Sequence, residues 1–287
     1  MKKPDLIHRI GAHLRKHLRF YASATAAVCL AYCCVAKFGA WGASSVTKEN
    51  VTITAPSLDE MGPLKIAFFS DIHNNKYIFT NVIGILKEEK PDIIIFGGDL
   101  VYVPERFMRT KWAVDGFREI CNIAPTYAIL GNHDYEKQEQ VERVFQSAGV
   151  KLLRNEAVDW TTPAGKEIRI VGLGDHNEGD EEPAKCMAAK GEEDKPVLLL
   201  AHDPESRNNL GDYEWDLMLA GHTHGGQLGI PFTDKYISFR SEMPAGLFDY
   251  ENGRKIYVTR GTGAILGMRF FCKPEVSILS IGSTTAH

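Results

Sequence analysis

Short apolar runs alternate along this chain with stretches whose apolar residues recur at helical spacing. Five of the runs end in turn-forming or polar residues: 66–69, 93–96, 126–130, 197–200 and 217–220. Because these runs are short, continuous and bounded by turn residues, they predict buried β-strands. Helix-like stretches such as 78–89 and 136–148 separate the first four runs. The order of strand, helix and strand predicts an α/β fold with right-handed parallel crossovers.

A short motif rich in metal-ligand side chains follows each of the five runs. In chain order the motifs are Ser70-Asp71-Ile72-His73, Gly98-Asp99, Gly131-Asn132-His133-Asp134, Ala201-His202-Asp203 and Gly221-His222-Thr223-His224. Open α/β folds bind ligands in a crevice outside the carboxyl ends of their parallel strands. We therefore expect these side chains to meet in one crevice. The order of the motifs predicts a two-metal phosphoesterase.

The motifs offer oxygen and imidazole nitrogen ligands without thiolate. Asp71 and His73 point to the same side if the chain stays extended there, so that one ion could take both. Asp99 follows two glycines, which allow a tight turn and could place its carboxylate between two ions. This mixed ligand set favours Mn, Fe, Zn or Co at a catalytic site over a closed, Cys-rich zinc site. Two such ions about 4 Å apart can generate a bridging hydroxide, polarise a phosphoryl oxygen and stabilise the leaving oxygen.

His133 has a different predicted role, because it directly follows Asn132 and is not needed to complete either ligand set. We predict that it protonates the leaving alkoxide or donates a hydrogen bond to the phosphoryl oxygen. Asp134 is predicted to orient the ring of His133.

The five motifs resemble those of the calcineurin-like metallophosphoesterase superfamily. The segment 215–228, together with 259–263 and 272–276, looks like the bacterial YaeI/YkuE branch, and the likeness runs from about residue 64 to residue 281. The resemblance implies a four-layer αββα sandwich of two mixed β-sheets flanked by helices. A second sheet is compatible with the β-rich segments 167–171, 255–258 and 275–281.

The same resemblance implies how the ligands divide between two divalent metal ions, of which Mn is favoured and Fe or Zn would also suit. It assigns Asp71, His73 and His224 to one ion. It assigns Asn132, His202 and His222 to the other ion, and Asp99 to both.

The N-terminal segment predicts a membrane anchor. Residues 1–19 form a basic tail with six Lys and Arg residues against one Asp, and 20–36 is nearly uncharged before Lys37. We predict a single-pass anchor at 20–43, although Ala40-Trp41-Gly42 would also serve as a modest cleavage site. Because positive charge stays on the cytoplasmic side, the catalytic domain is predicted on the outer face of a bacterial inner membrane. A linker at 44–63 with one strand-like segment at 51–54, followed by one metallophosphoesterase domain at 64–287, completes the predicted organisation.

Charge and cysteine content argue against two other classes of protein. The net charge of +5 in residues 1–19 leaves about −9 for residues 20–287, out of −4 for the chain with neutral histidine. An acidic body argues against nucleic acid as a partner, because such binding depends on cationic neutralisation of phosphates. Three of the six cysteines lie in or beside the predicted anchor, and the three in the domain at 64–287 form no CxxC pair, which indicates neither a disulfide framework nor a zinc knuckle.

Two arginines are further candidates for contact with substrate. Arg260 and Arg269 flank a glycine-rich stretch, and a guanidinium suits bidentate contact with phosphate. A surface or sheet-packing role remains an alternative for both.

Three functions remain open from the sequence. The leading hypothesis is a membrane-anchored phosphodiesterase that acts on a phosphodiester or a lipid-linked phosphate. An alternative is a pyrophosphatase of the kind that cleaves UDP-2,3-diacylglucosamine in lipid A synthesis, although that cytosolic substrate conflicts with the predicted orientation. The rival class is a non-catalytic, metal-binding scaffold, which His133 argues against.

Overall fold

The computed structural model describes residues 6–102, 110–189, 191–233, 235–238 and 241–282. The ends of the predicted tail and domain, at 1–5 and 283–287, lie outside these residues. Within the described ranges the α-helices are α1 (Leu6–Gly42), α2 (Lys76–Glu89), α3 (Lys111–Cys121) and α4 (Gln138–Ala148).

The strands of the described chain form two mixed sheets. The first sheet has the order β1 (Thr47–Ile53), β12 (Glu275–Ile281), β2 (Leu64–Phe69), β3 (Ile93–Phe96), β4 (Thr126–Ala128) and β5 (Lys151–Leu152). The second has the order β10 (Gly246–Asp249), β11 (Lys255–Val258), β9 (Leu217–Ala220), β8 (Val197–Leu200), β7 (Glu167–Gly172) and β6 (Glu156–Thr161). Strands β2 to β5 are parallel, as are β7, β8, β9 and β11, whereas β6, β10 and β12 each have an antiparallel neighbour.

Two predictions about strand placement need correction. The segment 275–281 was assigned to a possible second sheet, but β12 lies inside the first sheet, between β1 and β2. Within the predicted linker 44–63, the strand expected at 51–54 starts earlier, because β1 pairs in parallel with β12 from Thr47 opposite Glu275 onward. Strand β1 alternates between partly buried and exposed residues, as an edge strand does, whereas β12 is buried along almost its whole length.

The layers follow from the two faces of each sheet. Helices α2, α3 and α4 pack their apolar residues on one face of the first sheet, and a second apolar core fills the space between the sheets. The outer face of the second sheet packs against residues beside the 3₁₀-helices Pro183–Lys185 and Pro204–Asn209, including Met187 and Leu210. The predicted αββα sandwich is confirmed, with short 3₁₀-helices in its fourth layer.

Local signals fix where the helices next to the motifs begin and end. The side chain of Asn75 accepts a hydrogen bond from the Ile78 N–H, which caps α2 directly after the first motif. Helix α4 starts later than the predicted 136–148, because Asn132–Lys137 forms a 3₁₀-helix that carries the third motif. It ends at Gly149, whose φ of 88° suits glycine.

Helix α1 is one continuous helix whose end contacts the body of the protein. Its segment Phe20–Gly42 has a mean hydropathy of 1.5 and is long and apolar enough to cross a membrane. The backbone N–H of Arg269 donates to the Gly39 carbonyl at 2.9 Å, and the Phe38 ring lies 5.4 Å from that of Phe271. The helix therefore meets the body at the loop before β12.

Candidate metal centre

Both sheets contribute to one buried cluster of carboxylates and imidazoles. The first three motifs follow β2, β3 and β4 of the first sheet, and the last two follow β8 and β9 of the second. All five motifs therefore meet, as predicted. They follow the ends of strands from two facing sheets, and not from a single sheet. Seven predicted ligands lie in this cluster: Asp71, His73, Asp99, Asn132, His202, His222 and His224.

One group of side chains forms around Asp71. Its Oδ1 lies 3.4 Å from His224 Nε2 and 3.8 Å from His73 Nε2, and these two nitrogens are 2.9 Å apart. Nδ1 of His73 lies 3.0 Å from the Val101 carbonyl, which can only accept a hydrogen bond. The Nδ1 proton of His73 is thereby fixed, so that the Nε2 lone pair faces the cluster.

A second group forms around Asp99. Its Oδ2 lies 3.2 Å from His202 Nε2, and His202 Nδ1 lies 2.6 Å from the Gly97 carbonyl. His222 Nδ1 lies 3.0 Å from Asn132 Oδ1, which completes the group. Asp99 Oδ2 is also 3.7 Å from His73 Nε2. Asp99 therefore stands between the two groups.

The charges of the second group stabilise one another. Burial lowers the pKa of His202, but the neighbouring Asp99 carboxylate outweighs it and holds that pKa well above its usual range. Burial likewise opposes ionisation of Asp99, yet His202 and His73 lower the pKa of Asp99. A divalent cation would replace the imidazolium proton as the partner of this carboxylate.

The residues present fit divalent cations. Asp71 Oδ1 is buried and makes no hydrogen bond to any described residue. An unpartnered buried carboxylate oxygen is costly, and a cation next to it would remove that cost. The oxygen and imidazole donors of both groups suit Mn, Fe or Zn.

The backbone at the cluster is strained in a way that the sequence did not reveal. Five of the predicted ligands have a left-handed φ: Asp71 at 57°, His73 at 48°, Asp99 at 59°, His222 at 66° and His224 at 53°. Such a conformation in a non-glycine residue costs on the order of 1–3 kcal/mol and is concentrated at functional sites. The assumption of an extended chain at Asp71 and His73 is therefore wrong, although both side chains reach the same group.

Two motif glycines allow the loops to approach the carboxylates. A Cβ at Gly131 would lie 2.3 Å from Asp99 Oδ1, and a Cβ at Gly221 would lie 2.4 Å from Ser70 Oγ and 2.8 Å from Asp71 Oδ2. Because any side chain would collide at these points, glycine at both positions is a steric requirement of the cluster.

His133 lies at the accessible side of the cluster. Its ring is partly exposed, 5.2 Å from the His73 ring and 5.3 Å from the Tyr102 ring, and its backbone N–H donates to Asp99 Oδ1 at 2.9 Å. Burial lowers the pKa of His133, and the Asp99 charge only partly opposes that effect. The imidazole is therefore mainly neutral at pH 7, with one ring N–H to donate.

The predicted role of Asp134 is wrong. Both of its carboxylate oxygens accept hydrogen bonds from backbone N–H groups, of Asp99 at 2.8 Å, Gly131 at 3.0 Å and Val101 at 3.1 Å. Burial and the nearby Asp99 charge raise the pKa of Asp134. Asp134 holds the second and third motifs together through their backbones, and does not orient the His133 ring.

The predicted substrate contact by Arg269 is also wrong. Its side chain is completely buried and donates to the carbonyls of Gly263 at 2.9 Å and Arg260 at 2.7 Å. Its Nη2 lies 3.1 Å from His224 Nδ1, on the side of that ring away from the cluster. A guanidinium only donates, so His224 Nδ1 accepts this hydrogen bond and the neutral His224 ring carries its proton on Nε2, which a cation at the cluster would have to replace.

Arg260 has carboxylate partners of its own. Its guanidinium pairs with Glu275 and, at 3.0 Å, with Glu49, and it donates to the Tyr236 hydroxyl. These contacts tie β1 and β12 to the loop after β11. The arrangement gives Arg260 a structural role in place of the predicted contact with phosphate.

Two acidic residues beside the cluster had no predicted role. Asp203 Oδ2 lies 3.5 Å from His222 Nε2 and accepts a hydrogen bond from Asn177 at 2.9 Å. Asp175 is fully buried, and burial raises its pKa to about 6. Both had a usable signal in the sequence, since Asp203 directly follows His202 and Asp175 follows the apolar residues 170–173, which resemble another strand end.

Comparison with known proteins agrees with this geometry. Residues 64–226 match the family described as calcineurin-like phosphoesterase. The chain belongs to this family. It is 34% identical over 232 residues to the phosphodiesterase YaeI of Escherichia coli, covering 78% of this chain and 84% of that protein.

Two further relatives extend the comparison. The chain is 30% identical over 230 residues to the uncharacterized metallophosphoesterase YkuE of Bacillus subtilis, covering 77% of this chain and 79% of that protein. It is 27% identical over 277 residues to the UDP-2,3-diacylglucosamine pyrophosphatase LpxG of Chlamydia trachomatis, covering 75% and 83% respectively. Membership of the YaeI/YkuE-like branch is thereby confirmed.

Proposed function

We propose that this protein is a membrane-anchored phosphodiesterase that uses two divalent metal ions. The observation that carries the proposal is the position of Asp99 between two ligand groups, within 3.2 Å of His202 and 3.7 Å of His73. The name of the 34% identical relative, phosphodiesterase YaeI, supports the same reaction class.

The ligand groups define where the ions would bind. Asp71, His73 and His224 would hold one ion, and Asp99 would contact both. Asn132, His202 and His222 would hold the other ion. When bound, the two ions would activate water and polarise the phosphoryl oxygen. The preference for Mn over Fe or Zn is part of the proposal.

His133 has the chemistry to act on the substrate itself. Because its pKa is lowered, the neutral ring would donate a hydrogen bond to a phosphoryl or leaving oxygen near pH 7. Its partial exposure leaves the ring accessible to a substrate. A non-catalytic scaffold would not require the accessible ring N–H of His133 beside the ligand cluster.

The N-terminal helix supports the proposed location. Phe20–Gly42 would span the membrane once, with the basic tail in the cytoplasm and the catalytic domain on the outer face of a bacterial inner membrane. The phosphodiester or lipid-linked phosphate would then be hydrolysed beside the bilayer.

One alternative substrate has its own support. The relative LpxG is named a UDP-2,3-diacylglucosamine pyrophosphatase. The same two-metal site would hydrolyse that pyrophosphate, but the substrate lies in the cytosol. Protease treatment of intact spheroplasts separates the two versions, because digestion of the catalytic domain from outside excludes the cytosolic substrate.

Hydrolysis of bis-p-nitrophenyl phosphate by the purified full chain tests the proposed activity. We expect turnover with manganese and none after chelation. Asp99→Asn is the matched variant, because it removes the negative charge of the carboxylate and leaves the size of the side chain nearly unchanged. Absence of turnover with manganese, iron and zinc alike across neutral and mildly alkaline pH would favour the scaffold.

A further inference from the structure

Two loops beside the end of α1 expose large apolar side chains to solvent. We define the apolar rim as Leu228, Ile230, Phe232, Leu266 and Phe271. Phe232 is fully exposed, Leu266 is 78% exposed and Phe271 is 53% exposed. Large apolar side chains exposed on two loops that contact each other mark an interaction site.

The rim is continuous with the end of the apolar helix. Phe38 of α1 contacts the rings of Phe270 and Phe271, at 6.2 and 5.4 Å between ring centroids. Leu228 forms a β-bridge with Phe270, and the Gly229 N–H donates to the Phe270 carbonyl at 2.8 Å. These contacts join the two loops to each other and to the last turns of α1.

The length of α1 determines the depth at which these contacts would lie in a membrane. The 23 residues of Phe20–Gly42 extend about 34 Å, slightly more than the roughly 30 Å of a bilayer's hydrocarbon core. Phe38 and Trp41 are then at the membrane interface, and Lys273 lies over the Trp41 ring at 5.9 Å. Tryptophan and lysine are typical of that level. Phe271 lies at the same level, because it contacts Phe38.

Backbone conformation gives an independent indication. Phe232, Leu266 and Phe271 have φ values of 63°, 58° and 51°, in the left-handed region that glycine or asparagine normally occupies. Each loop thus holds a bulky apolar side chain outward in a strained conformation and in contact with water. A surrounding apolar phase would remove the exposure to water.

We propose that the apolar rim inserts into the lipid bilayer and seats the catalytic domain on its surface. This inference rests on the membrane anchoring in the proposed function. Leu228 follows the candidate ligand His224 by four residues, so the chain between them spans at most about 14 Å. Insertion of the rim keeps the candidate metal centre next to the lipid headgroups, where it meets phosphodiesters that are themselves part of the bilayer.

Photo-crosslinking of the full chain in phosphatidylcholine and phosphatidylglycerol vesicles tests the insertion. p-Benzoylphenylalanine replaces Phe232, Leu266 or Phe271, one at a time. The matched control is the same replacement at Glu251, whose side chain is 77% exposed in the turn before β11. This turn lies at the opposite end of β11 from the rim.

We expect phospholipid adducts at each rim position, with a yield about tenfold above that at position 251. Equal yields at the rim and at position 251 would overturn the proposal, as would protein dimers or other protein adducts in place of lipid. The readout does not depend on turnover. Loss of bis-p-nitrophenyl phosphate hydrolysis with retained lipid adducts would therefore count against the phosphodiesterase and not against the insertion.

Discussion

Arg269 lies behind His224, with its Nη2 3.1 Å from the ring nitrogen that faces away from the ligand cluster. The same residue donates its backbone N–H to Gly39, in the last turns of α1. A buried guanidinium thus connects the end of the apolar helix with a candidate metal ligand.

Substitution Arg269→Lys should weaken metal binding. Lysine keeps the positive charge but cannot reach the His224 carbonyl and the surrounding carbonyls together, so the backbone that carries His224 loses its fixed position. Removing a partner that orients a ligand typically costs about 10–100-fold in metal affinity. Calorimetric titration of the metal-free protein with manganese measures the change.

Arg254→Lys is the matched control for Arg269→Lys, because Arg254 packs over Trp215 with no contact to the ligand cluster among the described residues. If both variants bind manganese as tightly as the native protein, Arg269 has no role in positioning His224.

The His133→Ala variant should separate catalysis from metal binding. Its ring lies outside the proposed ligand sets, so the metal content should persist while turnover falls by about 10²–10⁴-fold. Elemental analysis and turnover of bis-p-nitrophenyl phosphate, both on the same preparation, measure the two effects.

Asp99→Ala should deplete bound metal as well as turnover, since Asp99 stands between both ligand groups. Equal loss of metal in the His133 and Asp99 variants would contradict this division of roles.

Asp134→Asn should destabilise the protein, although Asp134 contacts the ligand Asp99 only through its backbone N–H. An amide has one acceptor oxygen, whereas the carboxylate accepts bonds at both oxygens, from Val101 at one and from Asp99 and Gly131 at the other. A buried donor left unpaired costs about 1–3 kcal/mol. Urea unfolding in the presence of a chelator measures the loss of stability. An unchanged free energy of unfolding would mean that the hydrogen bonds to Asp134 do not stabilise the protein.

The pH dependence of stability should include a contribution from Asp180. Burial raises its pKa, but hydrogen bonds from Arg154 and Tyr135 outweigh burial and hold the pKa below its ordinary value. A lowered carboxyl pKa stabilises the folded state above the unfolded pKa of about 3.9. That stabilisation disappears as the pH falls through the folded value.

Urea unfolding of the native protein and of Asp180→Asn, in series from neutral to acidic pH, tests this sign. The variant should lose less stability on acidification than the native protein. If the free energies of unfolding of the two proteins fall in parallel with pH, Asp180 does not contribute to the loss of stability in acid.

Sequence patterns were most informative where one physical requirement dominated. Three buried strands, β3, β8 and β9, have the predicted bounds, because a continuous apolar run ended by a turn has few other solutions. The placement of β12 could not be predicted, since both sheets offer a buried position to an apolar strand. Its contact with β1 depends on pairing across more than 200 residues, from Thr47 to Glu275.

The candidate site was also predicted only in part, since the sequence indicated the ligand cluster but not the role of Arg269. Asp and His after strand ends signalled the cluster, because the ends of both sheets converge there. Arg269 was misassigned because an arginine in a glycine-rich loop has the same local sequence whether it faces a substrate or turns inward to backbone carbonyls. Only the fold shows that the side chain is surrounded by the His224 imidazole and by five carbonyls, which leave no room for phosphate: those of Arg260, Gly261, Gly263, His224 and Cys272.

Two metal ions should bind on either side of Asp99, and anomalous diffraction from crystals of the manganese-loaded protein would locate each ion separately. We expect two manganese peaks, one at Asp71, His73 and His224, and the other at Asn132, His202 and His222. A single peak, or manganese bound away from these side chains, would exclude a two-metal site around Asp99.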